Sequence, residues 1–178
     1  MKRQNILILL LAGIILAGGI IAILLKGNSN PKSRAREVAE KALLASVDRP
    51  ETVKIHAVSA PDSVFGRDYI TQEEKMAISV AMMKVSEKVM KETDGFESID
   101  FEDKAMSDLM ERQMSVMSVI RNLASFEMHN GKKPFSGWKV KIEYEAESDN
   151  GFPYRSEYWF ILDKEAVCVV KSFEIPLL

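Results

Sequence analysis

The sequence has few of the residues that most often perform chemistry. It contains one cysteine and two histidines, and the histidines stand 73 positions apart, at 56 and 129. Cys168 cannot form an internal disulfide, and its apolar setting "AVCVV" favours a buried, inert thiol. Phosphate-binding glycine loops and the GxSxG and HExxH motifs are missing as well. We therefore expect no catalytic residue, no metal site and no cofactor.

An excess of positive charge is also missing. The chain has 24 Lys and Arg against 26 Asp and Glu, and residues 1–30 hold three of the basic residues and none of the acidic ones. Residues 31–178 are left with 21 basic against 26 acidic residues, a net charge of −5. Because phosphate backbones are bound by basic surfaces, a nucleic-acid partner is not expected.

One long apolar run is present, near the N-terminus. Residues 6–25 are twenty Ile, Leu, Ala and Gly residues without a charge. A helix of that length spans about 30 Å, the thickness of the hydrocarbon core of a bilayer. Lys26 follows in place of a small-residue cleavage site, which favours an uncleaved signal-anchor over a cleaved signal peptide. The prediction is a transmembrane signal-anchor at 1–26, a linker at 27–30 and an extracytoplasmic domain at 31–178.

Charges and small residues around this run bear on orientation and association. Lys2 and Arg3 favour a cytoplasmic N-terminus, although basic residues also follow the span. We therefore expect a single-pass protein of the inner membrane, anchored in the lipid bilayer by residues 6–25. Small residues four positions apart let two membrane helices approach closely. Such pairs predict a homo-oligomer or a membrane-protein partner, and they are Gly13 with Ala17 and Gly18 with Ala22.

Capping signals and helical periodicity predict three helices in the rest of the chain. Asn30 and Pro31 begin a helix that runs to about residue 47. Thr71 and Glu74 form a capping box for a second helix, over 72–93, and a third is predicted over 100–128. The first helix has an inner face of mostly small side chains, namely Ala35, Val38, Ala39, Ala42, Leu43 and Ser46.

Alternation of apolar and polar residues predicts strands at 52–59, 138–147, 154–162 and 166–175. The segment "PDSVFGRDY" is interpreted as a crossing loop. The predicted fold is α+β: helix, strand, two helices and a three-stranded antiparallel meander. The charged residues of the first meander strand are expected to face water, and they are Lys139, Lys141, Glu143, Glu145 and Glu147.

The pattern also predicts strand register. If Trp138 and Tyr158 share a face, even-numbered residues pair with even-numbered ones, and the 148–153 loop has an odd length or a bulge. A two-residue turn at Lys164-Glu165 is predicted for the second hairpin. This turn would give the opposite face an apolar patch that must be covered, formed by Trp159, Ile161, Cys168 and Val170.

Nine of the ten methionines lie between residues 76 and 128. Thioethers can bind Cu(I), line a partner groove or fill a core, and the apolar residues between them favour the core. The second helix has two apolar stripes on nearly opposite sides. We predict that the first packs on the sheet and the second on the third helix. The first is Ile78, Met82, Val85 and Val89, and the second is Met76, Val80, Met83 and Met90.

This order of elements resembles the cystatin-like and nuclear transport factor-like α+β folds, in which a helix packs into a curved sheet. The segments "GWKVKIEYEA", "YRSEYWFILD" and "KSFEIP" also look like small membrane-anchored proteins of Bacteroidota. The resemblance implies a cystatin-like cone. Similar single-span proteins include assembly components of type IV secretion systems, whose domain dimerises without chemistry. Ketosteroid-isomerase-like members are enzymes that use Asp and Tyr inside the cone.

Two functions follow as expectations. The first is a non-enzymatic, self-associating interaction domain of the cell envelope that docks through Trp159, Ile161 and Val170. The alternative is a cone that binds a small hydrophobic ligand or acts as an enzyme of the ketosteroid-isomerase-like type. Aromatic residues would line that cone, and they are Trp138, Tyr144, Tyr158 and Phe160.

Overall fold

The computed structural model describes residues 30–67, 69–92, 104–124 and 133–177. Within these ranges the chain is α+β, with three α-helices and an antiparallel sheet of five strands. The helices are α1 (Pro31–Ser46), α2 (Gln72–Glu92) and α3 (Lys104–Ala124), and a 3-10 turn covers Pro50–Thr52. The strands are β1 (Lys54–Val58), β2 (Asp62–Phe65), β3 (Phe135–Glu147), β4 (Pro153–Leu162) and β5 (Val169–Leu177).

Helix α1 lies on one face of the sheet. The Asn30 side chain caps it by accepting a 3.1 Å hydrogen bond from the backbone N–H of Lys32, and Pro31 occupies the first turn, as predicted. Four residues of its predicted inner face are buried, which are Ala35, Val38, Ala39 and Leu43, whereas Ser46 is exposed. They form one core with residues of β3 and β4, namely Val140, Ile142, Tyr144, Ala146, Phe160 and Leu162. The small side chains bring the helix close to the sheet.

The strand order is β1-β3-β4-β5, and β2 also pairs with β3. The long strand β3 therefore has two short partners on one side, β2 at its beginning and β1 at its end. The predicted crossing loop contributes β2, which the sequence pattern did not reveal because four residues are too few to show alternation. Its Val64 is 2 % exposed and provides the buried side chain of the strand.

The register of the first meander hairpin is confirmed. Trp138 pairs with Leu162 and Ile142 with Tyr158, so even-numbered residues oppose even-numbered ones. Glu147 pairs with Pro153, and the connection 148–152 has the odd length that this register requires. Gly151 in this loop has a φ of 80°, a conformation that glycine adopts without strain.

The register of the second hairpin was predicted wrongly. The connection is not a two-residue turn but spans 163–168, so Trp159 pairs with Phe173 and Leu162 with Val169. The side chain of Asp163 accepts hydrogen bonds from the backbone N–H groups of Val167 and Cys168, at 2.7 and 3.1 Å. These bonds stabilise the wider turn and hold Cys168 at the surface, where its thiol is exposed rather than buried.

Helix α2 begins at the predicted capping box. The Glu74 backbone N–H donates to Thr71 Oγ1 at 3.2 Å, and the Thr71 N–H donates to Glu74 Oε2 at 2.8 Å. The same carboxylate lies 2.6 Å from the Nζ atoms of both Lys139 and Lys141. Lys139 is therefore 3 % exposed and does not face water as predicted, because α2 packs on this face of the sheet and provides its counter-ion.

The first stripe of α2 packs inward as predicted. Ile78 and Met82 join Trp159, Phe173 and Ile175 in one core, and Val85 and Val89 pack with Met106 of α3 in another. Helix α3 also contacts β5 at the edge of the sheet. The sheet is thus covered by α1 on one face and by α2 on the other.

The membrane prediction concerns residues outside the described ranges. Among the helices that the structure does describe, none has the length and apolarity needed to cross a bilayer. Residues 6–25 are not among them, and neither are the predicted helix-contact residues Gly13, Ala17, Gly18 and Ala22.

Candidate functional site

The sheet patch predicted to dock a partner is largely covered by the chain itself. Trp159 and Ile161 are each 2 % exposed, and Trp159 packs against Phe173 and the first stripe of α2. Its indole N–H donates a 2.6 Å hydrogen bond to Glu157. Val170 alone of the three docking residues is exposed, at 58 %. The cover that this patch needs is provided by α2 of the same chain, so Trp159 and Ile161 are not exposed to a partner.

The aromatic residues predicted to line a ligand cone lie under α1. Tyr144 and Phe160 are completely buried in one cluster with Leu43, and Tyr158 stacks on Phe160 with ring centres 4.6 Å apart. Trp138 is partly buried and donates from its indole N–H to the carbonyl oxygen of Lys164 at 3.0 Å. Side chains therefore fill the space in which the sequence suggested a ligand.

The methionine stripe of α2 was predicted to pack on α3, and that prediction is wrong. Its residues are exposed, as are two methionines of α3, and we call the six together the methionine surface. They are Met76 at 66 %, Val80 at 52 %, Met83 at 63 %, Met90 at 49 %, Met114 at 67 % and Met117 at 49 % exposure. The physical reason is that α3 contacts α2 through the other stripe, at Val85 and Val89.

A shallow depression of about 440 Å³ lies in the methionine surface, between α2 and α3. Its wall is mainly thioether and methylene groups, with two serines and one carboxylate at Ser79, Ser86 and Glu87. Gln113 of α3 donates a 2.5 Å hydrogen bond to Ser86 and ties the two helices together here. Exposed apolar patches with polar rims mark binding sites for other macromolecules, and flexible methionines adapt to the partner.

A second, polar cluster forms where α3 meets β5. Arg112 Nη1 lies 2.8 and 3.0 Å from the two carboxylate oxygens of Glu174, and the guanidinium stacks 3.5 Å from the ring centre of Tyr154. The Tyr144 hydroxyl donates to Glu174 Oε1 at 2.8 Å. Burial and the nearby carboxylate raise the pKa of Tyr144, which keeps the hydroxyl protonated as a donor. Although burial opposes the charge of Arg112, Glu174 outweighs it and raises the pKa of the guanidinium.

A polar cavity of about 380 Å³ lies beside this cluster, with a mostly acidic wall that includes Asp48, Asp108 and Asp149. Ser148, which is 4 % exposed, has a hydroxyl oxygen without a hydrogen-bond partner, and so has Asp108 Oδ2. The carboxylates of the cavity could accept hydrogen bonds from a cation. In the described part of the chain, the buried Ser148 hydroxyl has no hydrogen-bonded base that would activate it as a nucleophile. Within the described residues, no group of three or more His, Cys, Asp or Glu side chains could hold a metal ion.

Sequence reasoning missed the methionine surface as an exposed site. One signal could have found it: the stripe continues through Glu87 with positions 76, 80, 83, 87 and 90, a spacing of four and three residues. This is the heptad spacing of helices that pair side by side. The contact between Arg112 and Glu174 joins residues 62 positions apart, and no local pattern indicates it.

Comparisons of the chain with models of known protein families, with curated proteins and with solved structures find no match. The surfaces of the domain are therefore what bears on its function.

Proposed function

We propose that this chain is a non-enzymatic, membrane-anchored interaction domain of the cell envelope, and that a second copy of the chain binds its methionine surface. One observation carries the proposal: six large apolar side chains on two adjacent helices are 49–67 % exposed. A solvent-exposed apolar patch of this kind costs free energy unless a partner covers it.

The spacing of the α2 stripe favours a second copy as the occupant. Met76, Val80, Met83, Glu87 and Met90 follow a heptad, and such a seam pairs with an identical seam around a two-fold axis. When two copies of α2 lie parallel, each of these residues meets its own counterpart. Methionines tolerate that contact, whereas two Glu87 carboxylates repel each other and limit the affinity.

The proposed anchor supports self-association. Residues 6–25 would hold all copies in one membrane plane with the same orientation, which raises their effective concentration. The small residues Gly13, Ala17, Gly18 and Ala22 would let the anchoring helices approach each other. The domain would then lie outside the cytoplasm, with the orientation that Lys2 and Arg3 favour.

Cysteine crosslinking of the full chain in lipid nanodiscs tests the proposal. Met83→Cys in a Cys168→Ser background should give a disulfide-linked dimer under mild oxidation, because the two Met83 positions face each other. Leu44→Cys is the matched control, since Leu44 is 45 % exposed on α1, on the opposite side of the sheet. Equal crosslinking at both positions, or none at position 83, would contradict the proposal.

Two charge variants extend the test in opposite directions. Met83→Glu should weaken the dimer about tenfold or more, which corresponds to about 1.4 kcal/mol. Glu87→Leu removes a like-charge contact from the seam and should strengthen the dimer. Sedimentation of the full chain in detergent measures both. If neither variant changes the association, the surface is not the interface.

We also propose that the domain has a cystatin-like fold. The proposal is supported by α1, which packs across an antiparallel sheet through small residues, and the second helical layer on the other face is an addition to that plan. The ligand-binding alternative is less favoured, because Tyr144 and Phe160 belong to a filled core.

A further inference from the structure

One end of the domain gathers exposed apolar and aromatic side chains. Phe65 of β2 is 49 % exposed and lies edge-on to Phe135, which in turn contacts Trp138, with ring centres 6.1 and 5.2 Å apart. The indole of Trp138 is fixed by its hydrogen bond to Lys164, and Val167 of the same turn is 37 % exposed. We call these five residues the aromatic end of the domain.

Helix α1 begins at this same end. Arg34, in its first turn, donates from Nη1 to the carbonyl oxygen of Glu165 at 3.0 Å. Only residues 26–30 separate the apolar run from Pro31. Five extended residues reach at most about 18 Å, so this end of the domain is held near the end of residues 6–25.

We infer that the aromatic end rests on the lipid bilayer and places Phe65, Trp138 and Val167 in the headgroup region. The inference rests on the membrane anchor of the proposed function. Aromatic rings with one polar edge favour this region, and exposed lysines at the same end, Lys32 and Lys164, suit anionic headgroups.

The opposite end of the domain has a cluster of carboxylates. The acidic cavity lies there, beside the 148–152 connection and Asp48 at the end of α1. An anionic leaflet repels carboxylates, so the acidic cavity favours the same orientation as the short linker does. The aromatic end has two carboxylates of its own, Asp163 and Glu165, beside its lysines.

This orientation of the domain also determines which way the methionine surface faces relative to the membrane. Helix α2 begins at Gln72, and Glu74 in its first turn binds Lys139 near the aromatic end. Lys88, in the last two turns of the helix, lines a cavity with Pro153 at the other end. The helix therefore runs away from the membrane, and its exposed stripe points along the membrane plane, where an anchored second copy would meet it.

Tryptophan quenching by brominated lipids tests the inference. The chain has two tryptophans, Trp138 at the aromatic end and Trp159 buried under α2. The full chain is reconstituted in vesicles of phosphatidylcholine and phosphatidylglycerol, with or without bromine on the acyl chains. In Trp159→Phe, Trp138 should lose about half of its fluorescence to brominated lipid. In Trp138→Phe, the buried Trp159 should lose much less. Equal quenching of the two would overturn the inference.

A second readout avoids substitution in the core. A nitroxide is attached to the native Cys168 thiol, in the turn of the aromatic end. In vesicles the nitroxide should be protected from a water-soluble relaxation agent. In micelles of a detergent with a small headgroup it should not be protected. Phe65→Asp should reduce this protection, and Leu44→Asp, at the matched exposed site on α1, should leave it unchanged. A label at Cys168 that stays fully accessible in vesicles would contradict the inference.

The anchor itself is checked in the same vesicles by an alkaline wash. Release of the chain into the supernatant would remove the anchor and with it the proposed function. A chain that stays in the membrane while Trp138 and Cys168 remain in water would overturn the orientation alone.

Discussion

Helix α1 and helix α2 cover opposite faces of one sheet and are attached to it differently. The contact of α1 with β3 and β4 is a closed core of aliphatic and aromatic side chains. Helix α2 has a smaller core around Trp159 and is held in addition by the ion pairs of Glu74 with Lys139 and Lys141. Its outer stripe stays exposed. One face is complete within the chain, whereas the other is stable but leaves apolar surface for a partner.

The largest effect is expected from breaking the closed face. Leu43→Ala removes a completely buried side chain and should lower the free energy of unfolding by about 3 kcal/mol. Leu44→Ala, at the neighbouring position that is 45 % exposed, should change it by less than about 0.5 kcal/mol. Urea unfolding of the full chain in a non-ionic detergent compares the two. Similar losses in both variants would mean that α1 is not packed as described.

A smaller effect is expected at the charged attachment of α2. Glu74→Gln leaves the buried Lys139 without its nearest counter-ion and should cost about 2 kcal/mol at neutral pH. Burial raises the pKa of Glu74, but hydrogen bonds from Lys139 and Lys141 outweigh it, and the pKa lies below its ordinary 4.5. The stabilisation is therefore present above pH 4.5 and is lost as the pH falls through the lower folded value.

Comparison of unfolding curves along a pH series isolates this contribution. The difference between wild type and Glu74→Gln should shrink as the solution becomes more acidic, whereas the difference between wild type and Leu43→Ala should not. A Glu74→Gln effect that is independent of pH would show that the negative charge of Glu74 does not contribute to stability.

The smallest effect is expected at Glu174 of β5, where Arg112 of α3 and Tyr144 of the α1 core both bind its carboxylate. Tyr144→Phe removes the hydroxyl that donates to Glu174 but keeps the ring and the Arg112 pair, so the loss should be about 1 kcal/mol. The same unfolding assay measures it. A loss as large as that of Leu43→Ala would mean that the ring itself has moved.

Much of the fold could be predicted because local signals determine it. Asn30, Pro31, Thr71 and Glu74 specified where two helices begin, and alternation in β3 specified which residues face α1. The register of the first hairpin followed from matching apolar faces across two strands. These features depend on residues that are near in sequence or on a simple period of two.

The remaining errors concern features that helical and strand periodicity do not determine. Helix α2 is apolar on two sides, and nothing in a helical wheel decides which side another helix covers. The second turn depends on two hydrogen bonds to Asp163 and on Ala166 with a φ of 53°, which is rare for a residue other than glycine. The burial of Lys139 depends on Glu74, 65 positions away. The packing of α2 and the burial of Lys139 are decided by tertiary contacts, and the second turn is decided by side-chain-to-backbone hydrogen bonds that apolar alternation does not indicate.

The double use of one carboxylate has a consequence for how α2 can move. Glu74 closes the first helical turn through Thr71 and binds the sheet through Lys139. Because one carboxylate oxygen accepts both hydrogen bonds, a movement that breaks one of them also displaces the other. Detachment of α2 from the sheet would unravel its own beginning. The helix is thus disfavoured from swinging outward as an intact rod, and its opening would be a local unfolding event that includes the first turn. A molecule that binds the outer stripe therefore meets a helix whose backbone is already ordered, and the conformational entropy lost on binding comes mainly from the exposed methionine side chains.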